Sequence, residues 1–577
     1  MKTKFLSYFL ISTILLGNGM KDGVYIGTGK GYKSDIKTEV IIKNQKIEDI
    51  KVISSSDTSI ISDAAFNNIK KDIIETQGLG VDMVAGATSS SNGFYRSIIE
   101  ALKSSGANIS ELRKIKKEKV LKKEKRELNT DVLVIGGGGA GLAAASSATE
   151  NGANVILVEK MSFLGGNTIL AGGAYNAVDP KRQKPMNIED SNELFYKQTF
   201  EGGDKKGNPK LVKILTDNAY SGIEWLEGKG MKFKDDVFTV LGALYPRSHK
   251  PIDPVGTGFI LTYEKFLKEN NVPILLDTQA KELIIENNRV VGAVVETPEE
   301  ILTIKSKNGV ILATGGFSKN IEYRTKYNPK LTENILSTNT PAATGDGINL
   351  SQMANANLIG MEDIQMLPLG DPKTGSLSGN IETTVEDRIF INKKGKRFVA
   401  EDERRDVMTN ALLNQPDALL YVIVDSQVYP NENDKNNFNE SIKELVDENR
   451  AIKADSLDEL AKKLEIDPEV LIKTIKDYNL AVDKKSDEFG RKLFGKKIEK
   501  APFYAGARIP TIHHTMGGVE INENAEVLNK NGEIIEGLFA AGEVTGGIHG
   551  TNRLGGNALA DITVFGRIAG EKAANNK

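Results

Sequence analysis

Residues 131–160 read DVLVIGGGGAGLAAASSATENGANVILVEK, and their reading decides the fold. Residues 131–135 form a short apolar strand, Gly136-x-Gly138-x-x-Gly141 a tight turn, residues 142–151 an Ala-rich helix, and residues 154–158 a second buried strand ending on Glu159. This order predicts a complete βαβ unit. The first glycine permits the turn, the second lets a pyrophosphate approach the backbone, and the third lets helix and strand pack closely. The helix start, at Gly139 and Ala140, offers free N–H groups to phosphates. Glu159 follows where a carboxylate can bond a ribose 2′-hydroxyl. A bland Gly-rich turn would not need strand, turn, helix, strand and acid in register, so an adenine dinucleotide site is expected.

The rest of the composition narrows the class. At 577 residues the chain has length for about three to four domains, and 39% hydrophobic with 27% charged residues is a globular balance. A net charge of −3 gives no pull toward nucleic acid. Zero cysteines excludes disulfides, thiolate metal sites, iron–sulfur clusters and haem attachment through C-x-x-C-H. Four histidines leave metal chemistry little to work with, and no metal is expected. Lys2 and Lys4 precede the apolar run 5–16 and then Gly17-Asn18-Gly19, the order of a secretory signal. Residues 1–19 are therefore read as an export signal, with an uncleaved anchor as the rival, and the location as periplasmic or cell-surface.

Residues 20–110 read as a small separate unit. Residues 36–42 and 47–53 alternate as strands around the turn 44–46, a helix spans 60–75, and VDMVAGATSSSNGFYRSIIEALK leads into another helix. Residues 89–92 can serve simply as N-caps. The stretch from Asp82 to Thr88, DMVAGAT, also resembles the D-x-x-S/T-G-A-T sequence of FMN-binding domains, with Ala85 where the pattern has Ser or Thr. That resemblance implies Thr88 as the hydroxyl esterified to FMN by a flavin transferase outside the cytoplasm. Nine of the fourteen residues 113–126 are Lys or Arg, which reads as a solvated linker spanning 111–128.

Beyond the βαβ unit, GGNTILAGGAYNA supplies Gly165, Gly166, Asn167, Thr168, Ala171, Gly172 and Gly173. A helix over 209–227 carries the only tryptophan, Trp225, read as core. Strands over 273–296 lead to a buried strand that ends in the ATGG turn Ala313, Thr314, Gly315, Gly316. Residues 361–500 are a different body, and 501–577 return to glycine turns in HHTMGGV and AAGEVTGGIHGTNRLGGNAL.

These motifs, with GKRFVAEDERRD, resemble the soluble fumarate reductase family, which includes urocanate and methacrylate reductases. The resemblance covers the chain from about residue 129 to its end. It implies an α/β fold: a Rossmann-like FAD domain (129–360 and 501–577) interrupted by a mobile α+β capping domain (361–500) and preceded by the α+β FMN domain. Noncovalent FAD is implied on the glycine turns together with Lys160, Asp346, Gly542, Gly556, Asn557, Ala558 and Leu559, with His514 and Glu543 as flavin neighbours. Electrons would enter through the FMN from a membrane-side or soluble donor, since a chain without Cys has no haem domain.

The implied reaction reduces the C=C bond of an α,β-unsaturated carboxylate. It needs a hydride at the carbon β to the carboxylate, a proton for the α carbon, and cations that hold the carboxylate and the enolate-like charge. By the family pattern Arg405 is the proton donor, and His513 and Arg553 clamp the carboxylate. The rival reading has Arg405 merely paired with Glu401 or Asp402. Fumarate reductases carry a His where this chain has Leu367, and Glu382 matches an Asp that holds the imidazole in urocanate reductases. A urocanate-like acrylate is the expected substrate. The alternatives are fumarate itself, or a flavin electron-transfer protein without turnover.

Overall fold

The computed structural model describes residues 19–57, 59–117 and 122–576, so the expected signal at 1–19 lies almost wholly outside the described residues. The described chain forms two compact units, one of residues up to Lys122 with Met161–Phe163, the other Lys123–Lys160 with Leu164 onward. Among the described residues no helix is long and apolar enough to cross a membrane.

The small unit is a three-stranded antiparallel sheet, Gly23–Lys30, Asp35–Lys43 and Lys46–Ser54, with the helices Ser59–Thr76 and Thr88–Ser104. In the middle strand Ile36, Thr38, Val40 and Ile42 are buried in alternation, the period-2 pattern that faces one side of a sheet to a core. The hairpin turn holds Asn44 and Gln45 at positive φ, as a two-residue primed turn requires, and the Asp22 carboxylate accepts both of their amides at 2.9 and 3.0 Å.

The large unit has an eight-stranded sheet. Its parallel part runs Ile534–Ala540, Glu300–Leu312, Glu124–Ile135, Val155–Val158, Ile274–Leu275, and the antiparallel strands Gln279–Glu286 and Arg289–Glu296 extend from Glu300–Leu312. The βαβ unit is present, its helix Gly139–Glu150 beginning inside the glycine turn. Gly136 has φ +113°, and a Cβ added at Gly141 would lie 1.8 Å from the Gly136 carbonyl oxygen, so turn and close packing both demand glycine. The C-terminal helix Asn557–Asn575 packs on this helix.

A second sheet orders Ile364–Gly370, Phe503–Thr515, Leu420–Asp425 and Ile389–Asn392, with Ile452–Ala454 also pairing to Phe503–Thr515. Two apolar clusters cover it, around Leu420, Val422 and Val424 on one side and Ile389, Ile391 and Ile423 on the other, as alternation along these strands dictates.

Three local expectations change. The second sheet continues past residue 500, because Phe503–Thr515 is its longest strand. The basic run does not stay a linker to residue 128: from Glu124 it joins the large sheet, where Arg126 meets Glu300 across the strand pair at 3.0 Å. Trp225 is half-buried rather than core. Its indole N–H donates to Glu150 at 2.8 Å and its ring lies beside the Lys229 and Arg567 cations, so the helix spends it at an edge.

Candidate functional site

At the carboxyl ends of the parallel strands lies a cleft of about 850 Å³ lined by Gly136, Gly138, Ala140, Glu159, Lys160, Gly166, Asn167, Thr168, Ala313, Thr314, Gly315, Asp346 and Glu543. It is the crevice where open α/β sheets bind ligands. A Cβ added at Gly138 would meet only Gly166 Cα, at 3.9 Å, and one at Gly315 would meet nothing within 4 Å. The backbone is thus bare toward the cleft at both glycine turns, a cradle that fits a pyrophosphate. Glu159 accepts the Gly137 amide at 2.7 Å, which fixes its carboxylate at the rim of the cleft. Burial opposes charge on Asp346, but Thr344, Lys160 and Gln279 outweigh it and keep the carboxyl below its ordinary range.

Six expected cofactor residues stand behind this surface instead. The Gly139 amide donates to Thr168 Oγ1 at 3.2 Å, Gly141 backs Gly136, Gly165 abuts Ile169, Gly316 abuts Thr515 and Glu543, and Gly542 abuts Ala140. Asn557 is buried and bonds Asn176 and Thr199. Residues Ala171, Gly172, Gly173, Gly556, Ala558 and Leu559 line a second cavity.

That second cavity, of about 910 Å³, brings Arg405, His513, Arg553, Glu382 and Leu367 together. Arg405 opens the helix Arg405–Leu413, and Leu367 lies on the strand Ile364–Gly370, whose i, i+2, i+4 residues Gln365, Leu367 and Leu369 are all buried. The strand Phe503–Thr515 pairs His514 with Gln365 and Ile512 with Met366, which leaves His513 as the extra residue of a bulge. Strict alternation would turn His513 and His514 to opposite faces; the bulge lets both rings line one chamber with Arg553.

The charges here are unusual. Arg405 donates to the Leu241 carbonyl at 2.8 Å and to Gln365 Oε1 at 3.3 Å, and Arg553 donates to the Leu554 carbonyl at 3.1 Å and to the same Gln365 oxygen at 3.2 Å. Among the described residues both cations hydrogen-bond only uncharged oxygens and neither Nε finds a partner, although Glu382 acts on Arg405, and Glu543 and Asp561 on Arg553, through space. Arg405 therefore does not pair with Glu401, which is held by Arg397 and Arg491, or with Asp402, which accepts the Lys492 and Leu493 amides. Burial, then the nearby Arg553, pushes Arg405 well below the ordinary arginine range, and burial brings Arg553 down to about 10. His513 and His514 are pushed well below 6.5, first by burial and then by the arginines, so both rings are neutral. Burial raises Glu543, whose carboxylate accepts the Thr515 amide at 3.0 Å.

Glu382 departs from expectation. Rather than a free carboxylate, it is buried in an ion pair with the fully buried Arg388, because an unpaired charge at this depth is costly. Burial raises its pKa despite that partner. Leu367, Leu369, Leu377, Val385 and Phe438 line the same cavity. Gln365 and Arg388 were not foreseen. Gln365 was readable only as a same-face neighbour of Leu367, and the six-residue separation of Glu382 and Arg388 has no regular-structure signature.

In the small unit Thr88 is exposed at the first position of Thr88–Ser104. The N-cap is Ala87, without a side-chain cap bond; Ser90 donates instead to Asp57 at 2.6 Å and Ser91 accepts the Val84 amide at 3.2 Å. A hydroxyl beside uncapped first-turn amides fits a phosphate ester.

The FAD binding domain family matches residues 131–559 and the FMN-binding domain family residues 31–103. The NADH:acrylate oxidoreductase of Vibrio harveyi is 38% identical over 96% of this chain, which spans only 61% of that relative's length. The urocanate reductase of Eggerthella lenta is 36% identical, covering 98% of this chain and 94% of the relative. An open-conformation flavocytochrome c3 fumarate reductase superposes with a TM-score of 0.64 at 37% identity, over 78% of each chain.

Proposed function

The chain belongs to the soluble fumarate and urocanate reductase family of FAD-binding flavoproteins, and we propose that it reduces the C=C bond of an α,β-unsaturated monocarboxylate whose remaining part is uncharged, a urocanate-like acrylate. Its cofactors are FAD and a covalently attached FMN. Bound FAD supplies the hydride equivalent.

The observation that carries the reading is the pair of buried, carboxylate-free guanidiniums of Arg405 and Arg553 sharing one Gln365 oxygen. Two unpaired charges are each several kcal/mol costly in such a place, so the site is built for an anion to complete it. Arg553 offers a bidentate hold on the substrate carboxylate. His513 Nδ1 lies 2.9 Å from the Thr338 hydroxyl; with that hydroxyl donating, the neutral ring presents Nε2–H as a further donor. Arg405 delivers the proton to the α carbon. Its depressed pKa makes it a better acid than a solvated arginine, and restores the proton donor role against the high ordinary value.

The rest of the cavity selects the substrate. Arg388 is closed by Glu382 and the Glu401 carbonyl and is not free for a second carboxylate, which would face Leu367, Leu369 and Val385. The Glu382–Arg388 pair is neutral overall, so a neutral imidazole or aryl group fits better than an imidazolium. Localisation outside the cytoplasm, a soluble or membrane-side electron donor and a flavin transferase for maturation complete the proposal.

Steady-state kcat/KM with one artificial donor, for urocanate, a hydroxycinnamate, acrylate and fumarate, tests it. Fumarate is expected at least about tenfold below the best monocarboxylate, one mispaired charge being worth more than about 1.4 kcal/mol. Fumarate leading by tenfold would make the chain a plain fumarate reductase.

A further inference from the structure

The loop after the helix Asn192–Gly202 belongs to neither cavity wall. Asp204 and Lys205 have φ of +55° and +58°, a left-handed conformation that residues with side chains adopt at a cost. Their amides donate to the Glu201 and Phe200 carbonyls at 2.9 and 2.8 Å, so the turn closes the preceding helix and fixes where the Asp204 carboxylate points. The side-chain contacts of Asp204 run to the two segments that carry the site arginines. Its Oδ1 accepts from Arg404 Nη1 at 2.6 Å and its Oδ2 from Arg404 Nη2 at 3.0 Å, a bidentate fork on the residue just before Arg405; the Arg404 guanidinium also donates to Asp406 at 3.0 and 2.9 Å. The Thr551 hydroxyl, two residues before Arg553, donates to Asp204 Oδ2.

The backbone repeats the connection. The Thr551 amide donates to the Gly203 carbonyl at 3.2 Å, and Asn552 Nδ2 donates to the Gly202 carbonyl at 3.1 Å. A Cβ on Gly203 would lie 2.4 Å from the His549 carbonyl oxygen and one on Gly550 2.1 Å from the Gly203 oxygen, so the two loops touch main chain to main chain. Asn552 Oδ1 in turn receives Gln365 Nε2 at 2.9 Å, the amide whose oxygen both arginines share.

We propose that Asp204 is a positioning residue of the acid site: one carboxylate holds Arg404 and Thr551 together and thereby sets the spacing of Arg405 and Arg553. The need is electrostatic. Two buried guanidiniums that bond no carboxylate repel, and Glu382, the carboxylate on the same cavity wall, is taken up by Arg388. A clamp on the adjacent residues restrains them from outside. Asp204 has about half its side chain exposed, and Arg404 and Thr551 bring its carboxyl down to about 2, so the clamp stays charged at any working pH.

The proposal rests on the reductase reading above. Its test uses the fully flavinylated enzyme and the variants Asp204→Asn, Asp204→Glu, Arg404→Gln and Asp204→Asn/Arg404→Gln. Four quantities are measured: kcat and KM for urocanate, the Kd of its saturated product from the perturbed flavin spectrum, FAD content, and the unfolding midpoint. Asp204→Asn and Arg404→Gln should each lower kcat/KM by about tenfold or more and weaken product binding, with the double variant no worse than Arg404→Gln, which loses the Asp406 pair as well. Asp204→Glu should recover part of the loss, and FAD content and midpoint should not move. Turnover within about twofold of wild type, additive losses, or a loss matched by FAD release or a fallen midpoint would each reduce Asp204 to an ordinary ion pair. If wild type reduces no unsaturated acid at all, the reductase reading itself falls and takes this proposal with it.

Discussion

The cleft beside Gly138 and Gly315 presents bare main chain at two glycine turns, whereas the cavity around Arg405 gathers charged and apolar side chains such as Arg405, Arg553, Glu382 and Leu367. The two surfaces answer different ligands. A pyrophosphate already carries its charge, so bare N–H groups and absent Cβ atoms suffice to receive it. A small carboxylate whose charge shifts during reaction needs fixed, desolvated cations, and these must be held apart from any counter-ion of their own. Thr88 in the small unit stands at an uncapped helix start of the same kind, and on the proposed reading its hydroxyl carries the FMN.

That contrast can be broken experimentally. The largest effect is expected at the one side chain on a backbone-built surface: Thr88→Ala should abolish covalent FMN in protein coexpressed with its flavin transferase. Denaturation would then release all flavin, while wild type keeps one equivalent bound. A flavin that stays attached in the variant moves the ester elsewhere.

Next comes the cavity. Arg405→Ala should lower kcat by at least about 10²–10⁴-fold with FAD content unchanged, and Arg405→Lys should recover only part, since a point charge replaces a fork. Near-normal turnover in Arg405→Ala would mean that the buried cation serves structure alone. The smallest effect concerns protonation. His513 is held neutral, so the unfolded chain takes up a proton below pH 6.5 that the folded chain refuses, and stability falls as pH drops from about 6.5. His513→Gln should flatten that acid slope by up to about 1.4 kcal/mol per pH unit, read from urea unfolding at a series of pH values. An unchanged slope would show that His513 is protonated in the fold.

The same contrast governs how much of the molecule is legible in its sequence. The βαβ unit, the hairpin around Asn44 and the long helix Pro209–Gly228 follow from local patterns, because periodicity and turn chemistry act over a few residues. Arg405, His513 and Arg553 were placed by resemblance to a family, and no periodicity links them. The bulge at His513 is a one-residue event that alternation conceals, and the pairing of Glu382 with Arg388 depends on burial that hydropathy does not resolve. Trp225 misled for a related reason: a large aromatic ring suggests core, while its N–H and its neighbouring cations hold it at an edge.

The most direct test of the account is a single turnover. The enzyme loaded with both flavins is reduced without oxygen, freed of reductant and mixed with urocanate, acrylate, a hydroxycinnamate or fumarate while the visible flavin band and the acid products are followed. The account predicts that a monocarboxylate restores the oxidised band with one saturated acid formed per two electrons, faster than fumarate does. A flavin that stays reduced with every acid, yet still passes electrons to an artificial acceptor, would make this chain an electron carrier and contradict the reductase.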